Sequence, residues 1–70
     1  MRVFGIDPGS VRTGYGCIET DGRRHRLILC GAVRPSNGLA LADRLQTIHD
    51  QLTSLIADSR AECVAIENLF

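Results

Sequence analysis

Four short segments of the chain carry the apolar residues that favour β-strands, and residues typical of turns or loops separate them. The segments are residues 2–7, 14–20, 24–33 and 62–67. Between the second and third segments, Asp21-Gly22 is a dipeptide that favours a two-residue β-hairpin turn. That turn would place Glu19 opposite Arg24, which is a favourable pair of opposite charges across two strands. The pattern therefore predicts a strand, a hairpin and, later in the chain, a fourth strand.

A helix is predicted between the hairpin and the fourth strand, from about Leu39 to Ala57. Apolar residues recur there at steps of four, three, four and three, which places them on one helical face. This helix stripe consists of Leu41, Leu45, Ile48, Leu52 and Leu55. We expect the stripe to lie in the core. Because a strand that returns through a helix generally runs parallel to its neighbour, we expect the fourth strand beside the first.

The composition describes one small domain without a net charge. The chain has 70 residues, and a domain near this length buries only about 60% of the surface that its unfolded chain exposes. Its eight basic residues, all arginine, balance eight acidic residues. Residues 1–34 hold six arginines and three acidic residues, whereas residues 35–70 hold two arginines and five acidic residues. An overall basic balance would have argued for a nucleic-acid partner, and the composition does not supply that argument.

Three cysteines, Cys17, Cys30 and Cys63, are odd in number and widely spaced within apolar segments. This spacing predicts buried free thiols in a reduced compartment and argues against a zinc site. The start of the chain has the pattern of a strand and not of a secretory leader. No apolar run approaches the roughly 20 residues that a membrane helix needs. We therefore expect a soluble intracellular protein that has no membrane partner.

The run Gly5-Ile6-Asp7-Pro8-Gly9-Ser10 is the most informative motif of the chain. Pro8 disfavours helical backbone at Asp7, so Asp7 is expected to be the extended last residue of the first strand. Pro8-Gly9 also suits the central positions of a type II turn, in which Gly9 would have a positive φ. The Asp7 carboxylate is then held rigidly before a reversal of the chain. It is either a metal ligand or a turn carboxylate that accepts bonds from backbone amides.

A second carboxylate, Glu67, ends the fourth predicted strand. Parallel neighbouring strands lie roughly 4.8 Å apart, so Asp7 and Glu67 would meet at one edge of the sheet. Alternation places Asp7 on the face of Gly5, and Glu67 on the face of Ala65. Two carboxylates that close repel each other unless a cation lies between them, and hard oxygen ligands suit Mg²⁺ or Mn²⁺. This arrangement predicts metal-assisted hydrolysis of a nucleic-acid backbone, although Glu67 could instead be a solvated residue at a strand end.

Two runs of the chain, from Gly5 to Ile18 and from Val64 to Phe70, resemble the RuvC family of Holliday junction resolvases. Tyr15-Gly16 and Ile66-Glu67 favour this family over others that share Gly-Ile-Asp-x-Gly. The resemblance implies an α/β fold with a ribonuclease H-like mixed sheet, ordered as strand, hairpin, helix and parallel strand. Residues 1–70 would be the amino-terminal part of a single nuclease domain, with the remainder of that domain absent. The implied activity is metal-dependent cleavage of four-way DNA junctions in recombination and repair.

The resemblance also implies roles for particular residues and partners. Asp7 and Glu67 would be catalytic metal ligands, whereas the family's other two acidic residues lie in a carboxy-terminal Asp-x-x-Asp stretch absent here. A complete site would hold two Mg²⁺ ions, or Mn²⁺ in their place. The implied partners are junction DNA, a second copy of the chain and branch-migration machinery, in a bacterial cytoplasm. Two carboxylates supply only a small part of the coordination shell of Mg²⁺. We therefore expect the 70-residue chain alone not to cleave DNA.

Two further residues are candidates for DNA binding. Phe70 could stack on an unpaired base near the metal site, or it could belong to the core. Arg12 could contact a phosphate, or it could be a solvated loop residue. His25 and His49 have no partner at the spacing of a metal site or a catalytic triad, so we expect them on the surface.

Two other functions share part of the first motif. In an actin-like ATP-binding kinase or chaperone, backbone amides after Asp7 would bind phosphates, but Pro8 lacks one of those donors and the chain has no lysine. In a YqgF-type nuclease that acts on RNA, the motif continues with a basic residue and Ile-Gly. This chain has Thr13-Gly14-Tyr15-Gly16 at that place.

Overall fold

A computed structural model describes residues 1–67 and contains one sheet and one helix. The elements are β1 (Arg2–Asp7), β2 (Thr13–Thr20), β3 (His25–Val33), α1 (Leu41–Ser59) and β4 (Cys63–Ile66). The strand order in the sheet is β3-β2-β1-β4. β1 is antiparallel to β2 and parallel to β4, and β2 is antiparallel to β3. The predicted order of elements and the parallel fourth strand beside the first are therefore confirmed.

The sheet has two unlike faces, because side chains alternate along each strand and paired residues share a face. We call one the covered face, since α1 lies on it and its side chains form the core. Phe4, Cys17 and Val33 are fully buried there. The other, the open face, bears mostly small residues of the central strands and has no helix among the described residues. Its members in β1, β2 and β4 are Val3, Gly5, Asp7, Gly14, Gly16, Ile18, Cys63 and Ala65.

Helix α1 begins two residues later than predicted, at Leu41, and also ends two residues later, at Ser59. Its last turn extends because its carbonyl groups have partners. The guanidinium of Arg2 donates to the carbonyl oxygen of Ser59 at 2.8 Å, and the Ser59 hydroxyl donates to the carbonyl oxygen of Ile56 at 3.0 Å. Arg60 then adopts a left-handed conformation with φ 56°, which stops the helix.

The prediction that the whole helix stripe is core holds only for its later part. Ile48 is buried, and Leu52 and Leu55 are half-buried. Leu41 and Leu45 remain 53% and 52% exposed. Leu45, Ile48 and Leu52 line an open depression of about 400 Å³ that also contacts the loop after β1. Nothing among the described residues fills this depression, which explains the exposure of Leu45.

The hairpin between β2 and β3 is wider than the predicted two-residue turn. Thr20 pairs with His25, so residues 21–24 form the loop. The Asp21 carboxylate accepts the backbone N–H groups of Arg24 and Arg23 at 2.7 and 2.8 Å. These bonds, that of Arg24 first, hold the pKa of Asp21 below its ordinary value.

The wider loop changes the partner of Glu19. Glu19 pairs with Arg26, so the predicted pair of Glu19 with Arg24 is wrong. The prediction assumed a two-residue turn held by backbone hydrogen bonds alone. In the structure the Asp21 side chain binds backbone N–H groups and closes a longer loop. The Glu19 carboxylate lies 3.4 Å from the amino terminus of Met1.

The thiols and imidazoles divide between core and surface. Cys17 is buried as predicted, but Cys30 and Cys63 are exposed, so that prediction is wrong for both. They pair with Gly16 and Val3 on the open face, where nothing among the described residues covers them. His25 and His49 are exposed, as expected. Among residues 1–67, no helix has the length and apolar composition needed to span a membrane.

Candidate active site

Asp7 and Glu67 lie at the carboxyl ends of two adjacent parallel strands. Ile6 pairs with Ile66 at the end of the β1–β4 ladder, and the Glu67 N–H donates to the Ile6 carbonyl oxygen at 3.1 Å. The hydrogen bonding between β1 and β4 thus extends to Glu67, and Asp7 is the last residue of β1. Both side chains are exposed and line one broad, open depression of about 1010 Å³ on the open face. The structure therefore brings these two sequence-predicted residues to the same edge of the sheet.

The carboxylates stand above backbone that carries little side-chain bulk. Asp7 pairs with Gly14, and a Cβ atom added at Gly14 would lie 3.6 Å from the Asp7 Cβ and 3.9 Å from its Oδ2. Gly5 pairs with Gly16 on one side and with Ala65 on the other. This leaves the space beside Asp7 and Glu67 open to a hydrated cation or to an approaching phosphate.

The loop after Asp7 differs from the predicted type II turn, because Gly9 does not have a positive φ. Glycine is required there for a different reason, since a Cβ at Gly9 would overlap the carbonyl oxygen of Arg12. The hydroxyl of Thr13 closes the loop. It accepts the Gly9 N–H at 3.2 Å and donates to the Gly9 carbonyl oxygen at 2.6 Å.

Sequence reasoning missed the role of Thr13, although the alternation along β2 contains the signal. Thr13 shares the covered face with Cys17 and is 2% exposed. A polar side chain on a buried face must find hydrogen-bond partners. Those partners are the backbone groups of Gly9, so Thr13 fixes the path of the chain immediately after Asp7.

The donor set of the site fits part of a magnesium shell. Asp7 and Glu67 offer the hard oxygen atoms that Mg²⁺ prefers, and Mg²⁺ commonly keeps several waters while it binds one or two carboxylates. Within residues 1–67, no group of three or more His, Cys, Asp or Glu residues could hold a metal ion. The described residues therefore supply two ligands and no complete protein cage.

Two arginines lie at the same edge of the sheet. Arg12 precedes β2 and Arg34 follows β3, and both line the depression that contains Asp7 and Glu67. Arg12 was a sequence candidate, whereas Arg34 was missed. The sequence indicates Arg34 only through its position, because it directly follows Val33, the last residue of β3. Phe70, the other DNA-binding candidate, lies outside the described residues.

Tyr15 of the first motif has a packing role on the covered face. Its ring stacks on Phe4 with centroids 5.9 Å apart. Its hydroxyl oxygen would lie 2.6 Å from a Cβ atom added at Gly31, the residue with which it pairs. A side chain at position 31 would therefore displace the end of the Tyr15 side chain.

A protein-family profile matches nearly the whole chain. The profile of the family described as crossover junction endodeoxyribonuclease RuvC matches residues 3–70. A crossover junction endodeoxyribonuclease RuvC from Prosthecochloris aestuarii is 40% identical over 70 residues, which is 100% of this chain and 37% of that protein. Across such curated relatives, the chain spans between 37% and 46% of their length.

Solved structures show the same architecture. The structure described as Thermus thermophilus RuvC in complex with Holliday junction substrate has a TM-score of 0.89 and 31% identity, over 100% of this chain and 45% of that chain. The predicted α/β, ribonuclease H-like mixed sheet is therefore confirmed. An Aquifex aeolicus PPX-GPPA enzyme has a TM-score of 0.71 at 22% identity, over 94% of this chain and 25% of that chain. That second likeness concerns the fold alone.

Proposed function

The chain belongs to the RuvC family of crossover junction endodeoxyribonucleases, and from this premise we propose that the protein containing it cuts four-way DNA junctions. The reaction is metal-assisted hydrolysis of phosphodiester bonds, made symmetrically in two opposing strands. The observation that carries the proposal is the pair Asp7 and Glu67, which extend two adjacent parallel strands at one edge of the open face. Junction DNA is the substrate class because a relative 31% identical to this chain was solved with a Holliday junction.

Asp7 and Glu67 are the residues that would hold Mg²⁺, or Mn²⁺ in its place. Bound there, a pair of ions supplies activation of a water molecule and stabilisation of the leaving oxygen. The chain contributes the placement of the ligands. Thr13 and the glycine at position 9 fix the loop that follows Asp7, while Gly14 leaves the Asp7 carboxylate uncrowded.

Two carboxylates account for only part of a site that binds two ions. We therefore propose that residues 1–70 are the amino-terminal part of one nuclease domain, and that further acidic residues of a longer polypeptide complete the ligand set. On this account, the 70-residue chain alone does not cleave DNA. A second copy of the protein supplies the second cut, and branch-migration machinery is the proposed partner in the cell. In this proposal Arg12 contacts a phosphate and Phe70 stacks on an unpaired base.

The direct test is cleavage of a synthetic four-way junction in Mg²⁺ by the longest polypeptide that contains this sequence. A linear duplex of matched sequence serves as the substrate control. We expect paired, symmetric nicks in the junction and none in the duplex. Asp7→Asn and Glu67→Gln should each slow cleavage by more than about 100-fold, because even partners outside the ligands of a metal often cost 10–100-fold.

A matched control separates a loss of ligand from a loss of charge. Asp58→Asn removes the same charge from an exposed residue near the end of α1, and it should leave cleavage unchanged. If the wild-type polypeptide makes no nicks but binds a fluorescent ATP analogue tightly in Mg²⁺, the proposed function is wrong and nucleotide binding replaces it. If an RNA substrate is preferred over the DNA junction, the substrate class is wrong.

A further inference from the structure

Arg12 and Arg34 occupy opposed positions one step beyond the end of a strand ladder. Thr13 pairs with Val33 at the end of the antiparallel β2–β3 ladder, so the next residues outward are Arg12 on one strand and Arg34 on the other. Arg34 precedes Pro35, which biases it toward extended backbone and continues the direction of β3. The register of the sheet therefore sets the two arginines side by side.

Both arginines belong to the open face. Thr13 and Val33 are 2% and 1% exposed on the covered face, and side chains alternate along a strand. Their outward neighbours Arg12 and Arg34 are exposed. Both also line the depression that contains Asp7 and Glu67, which agrees with the alternation.

Two like charges directly opposite each other destabilise a sheet unless an ion of opposite charge lies between them. Among the described residues, the ion pairs join the Met1 amino group to Glu19 and His49 to Asp50. Neither guanidinium therefore has a carboxylate partner in this part of the chain. An anion that bridged the two arginines would remove their repulsion. Arginine suits a phosphate in particular, because its planar group donates two parallel hydrogen bonds to the oxygen atoms.

Four charged residues follow one another along the end of the sheet at which β1 and β4 finish. Following the strand order from β4 through β1 and β2 to β3, the charged residues are Glu67, Asp7, Arg12 and Arg34. Neighbouring strands are roughly 4.8 Å apart, so the strands that lead to Asp7 and Arg34 are separated by roughly 10 Å. Successive phosphates of one DNA strand lie closer together than this separation. A phosphate near Arg34 would therefore be a different one from the phosphate at the carboxylates, within a few nucleotides along the same strand.

We propose that Arg12 and Arg34 form a phosphate clamp, which binds the backbone of the DNA strand being cut within a few nucleotides of the cleaved bond. The clamp rests on the proposed function, since it assumes that this strand passes the carboxylate pair. The clamp adds Arg34 to the proposed DNA-binding residues. It also divides the depression into a part that holds the carboxylates and a part that holds the arginines. The carboxylates hold the reacting phosphate through metal, and the arginines hold a phosphate farther along the same strand.

The clamp is tested by the salt dependence of junction binding, measured without divalent metal so that no strand is cut. The polypeptide is again the longest one that contains this sequence. Each phosphate contact contributes about 0.9 to the slope of log K against log salt. Arg12→Gln and Arg34→Gln should each lower that slope by about 0.9, so that between 50 and 200 mM salt the variant loses about 3.5-fold less affinity than the wild type. Arg34→Lys should keep the slope and bind more weakly than the wild type, because it keeps the charge and loses the paired bonds.

Arg23→Gln is the matched control, since it removes an exposed arginine from the hairpin loop at the opposite end of the sheet. It should leave the slope unchanged, and neither clamp variant should unfold more easily than the wild type. If Arg34→Gln gives the slope of Arg23→Gln while the wild type still cuts junctions, the clamp is wrong and the proposed function stands. If the wild type neither binds nor cuts the junction, the proposed function fails and the clamp fails with it.

Discussion

The two faces of the sheet are built from the same strands but follow opposite rules. On the covered face, large or tightly fitted side chains such as Phe4, Cys17 and Val33 are fully buried. On the open face, the positions paired with β1 are mostly glycine or alanine, and the edge carries Asp7 and Glu67. Residues one position apart in the chain therefore have different roles. The covered face stabilises the fold, and the open face leaves room for charged side chains and a ligand.

Three glycines, in β2, in β3 and in the loop after β1, leave room for different neighbours. Gly14 keeps bulk away from the Asp7 carboxylate on the open face, whereas Gly31 leaves room for the Tyr15 ring on the covered face. Gly9 allows two stretches of backbone to approach each other in the loop between β1 and β2. None of these three glycines has a positive φ. Only at Gly9 would a Cβ collide with backbone, whereas at Gly14 it would make ordinary contacts and at Gly31 it would meet the end of the Tyr15 side chain.

The largest expected difference between the faces is in stability. Phe4→Ala should lower the free energy of unfolding by about 3–5 kcal/mol, because it empties a fully buried site and removes the ring that stacks on Tyr15. Val3→Ala, one residue earlier on the open face, should cost about 1 kcal/mol, since the side chain is only half-buried. Chemical denaturation of both variants beside the wild type measures the two costs.

The same pair of variants can contradict the comparison. If Val3→Ala is as costly as Phe4→Ala in the 70-residue chain, the open face is packed and the contrast between the faces is wrong. If Val3→Ala becomes costly only in a longer polypeptide, further chain covers the open face near Val3 there. That result would restrict the open part of the face to the edge that holds Asp7.

The sequence was sufficient to predict the sheet and the meeting of two carboxylates. Apolar periodicity defined the strands, and a helix between strands required a parallel return, which set Glu67 beside Asp7. The details that failed depend on side chains acting on backbone. The Asp21 carboxylate closes a four-residue loop in place of a two-residue turn, and Gly9 meets the carbonyl oxygen of Arg12 in place of forming a type II turn. Such contacts depend on exact distances, which periodicity does not encode.

The apolar periodicity also did not predict how exposed individual side chains are. The helix stripe is regular from Leu41 onward, yet Leu41 and Leu45 remain half exposed. Periodicity tells which side of a helix is apolar, but not how much of that side a sheet of this size covers. Arg34 was missed for a related reason, because its neighbour across the sheet is Arg12, which lies 22 positions earlier in the sequence. Only the register of β2 against β3 brings the two together.

An intermediate effect is expected at Thr13, which connects the covered face to the loop after Asp7. Thr13→Val keeps the shape of the side chain but leaves the N–H and carbonyl groups of Gly9 without their partner. The free energy of unfolding should fall by about 1–3 kcal/mol. The Mg²⁺ concentration for half-maximal junction cleavage should rise, because the Asp7 ligand is held less firmly. Thr13→Ser retains the hydroxyl and should restore most of both properties, whereas full cleavage by a destabilised Thr13→Val variant would limit Thr13 to a role in folding.

The smallest expected effect on stability, and a large one on activity, is at Gly14 on the open face. A Cβ there would make ordinary contacts with Asp7, at 3.6 Å to its Cβ and 3.9 Å to its Oδ2. Replacing a glycine inside a strand removes an entropic penalty of about 0.5–1 kcal/mol, so Gly14→Val should fold at least as well as the wild type. Its methyl groups would nevertheless crowd the Asp7 carboxylate, and a displacement of about 1 Å can cost about 100-fold in rate.

Gly16→Val is the matched control, since its added Cβ would meet the Leu29 carbonyl oxygen at 3.7 Å and not Asp7. If Gly14→Val cuts junctions as fast as Gly16→Val, the open face does not need its bare backbone beside Asp7, and the contrast between the two faces would then concern stability alone.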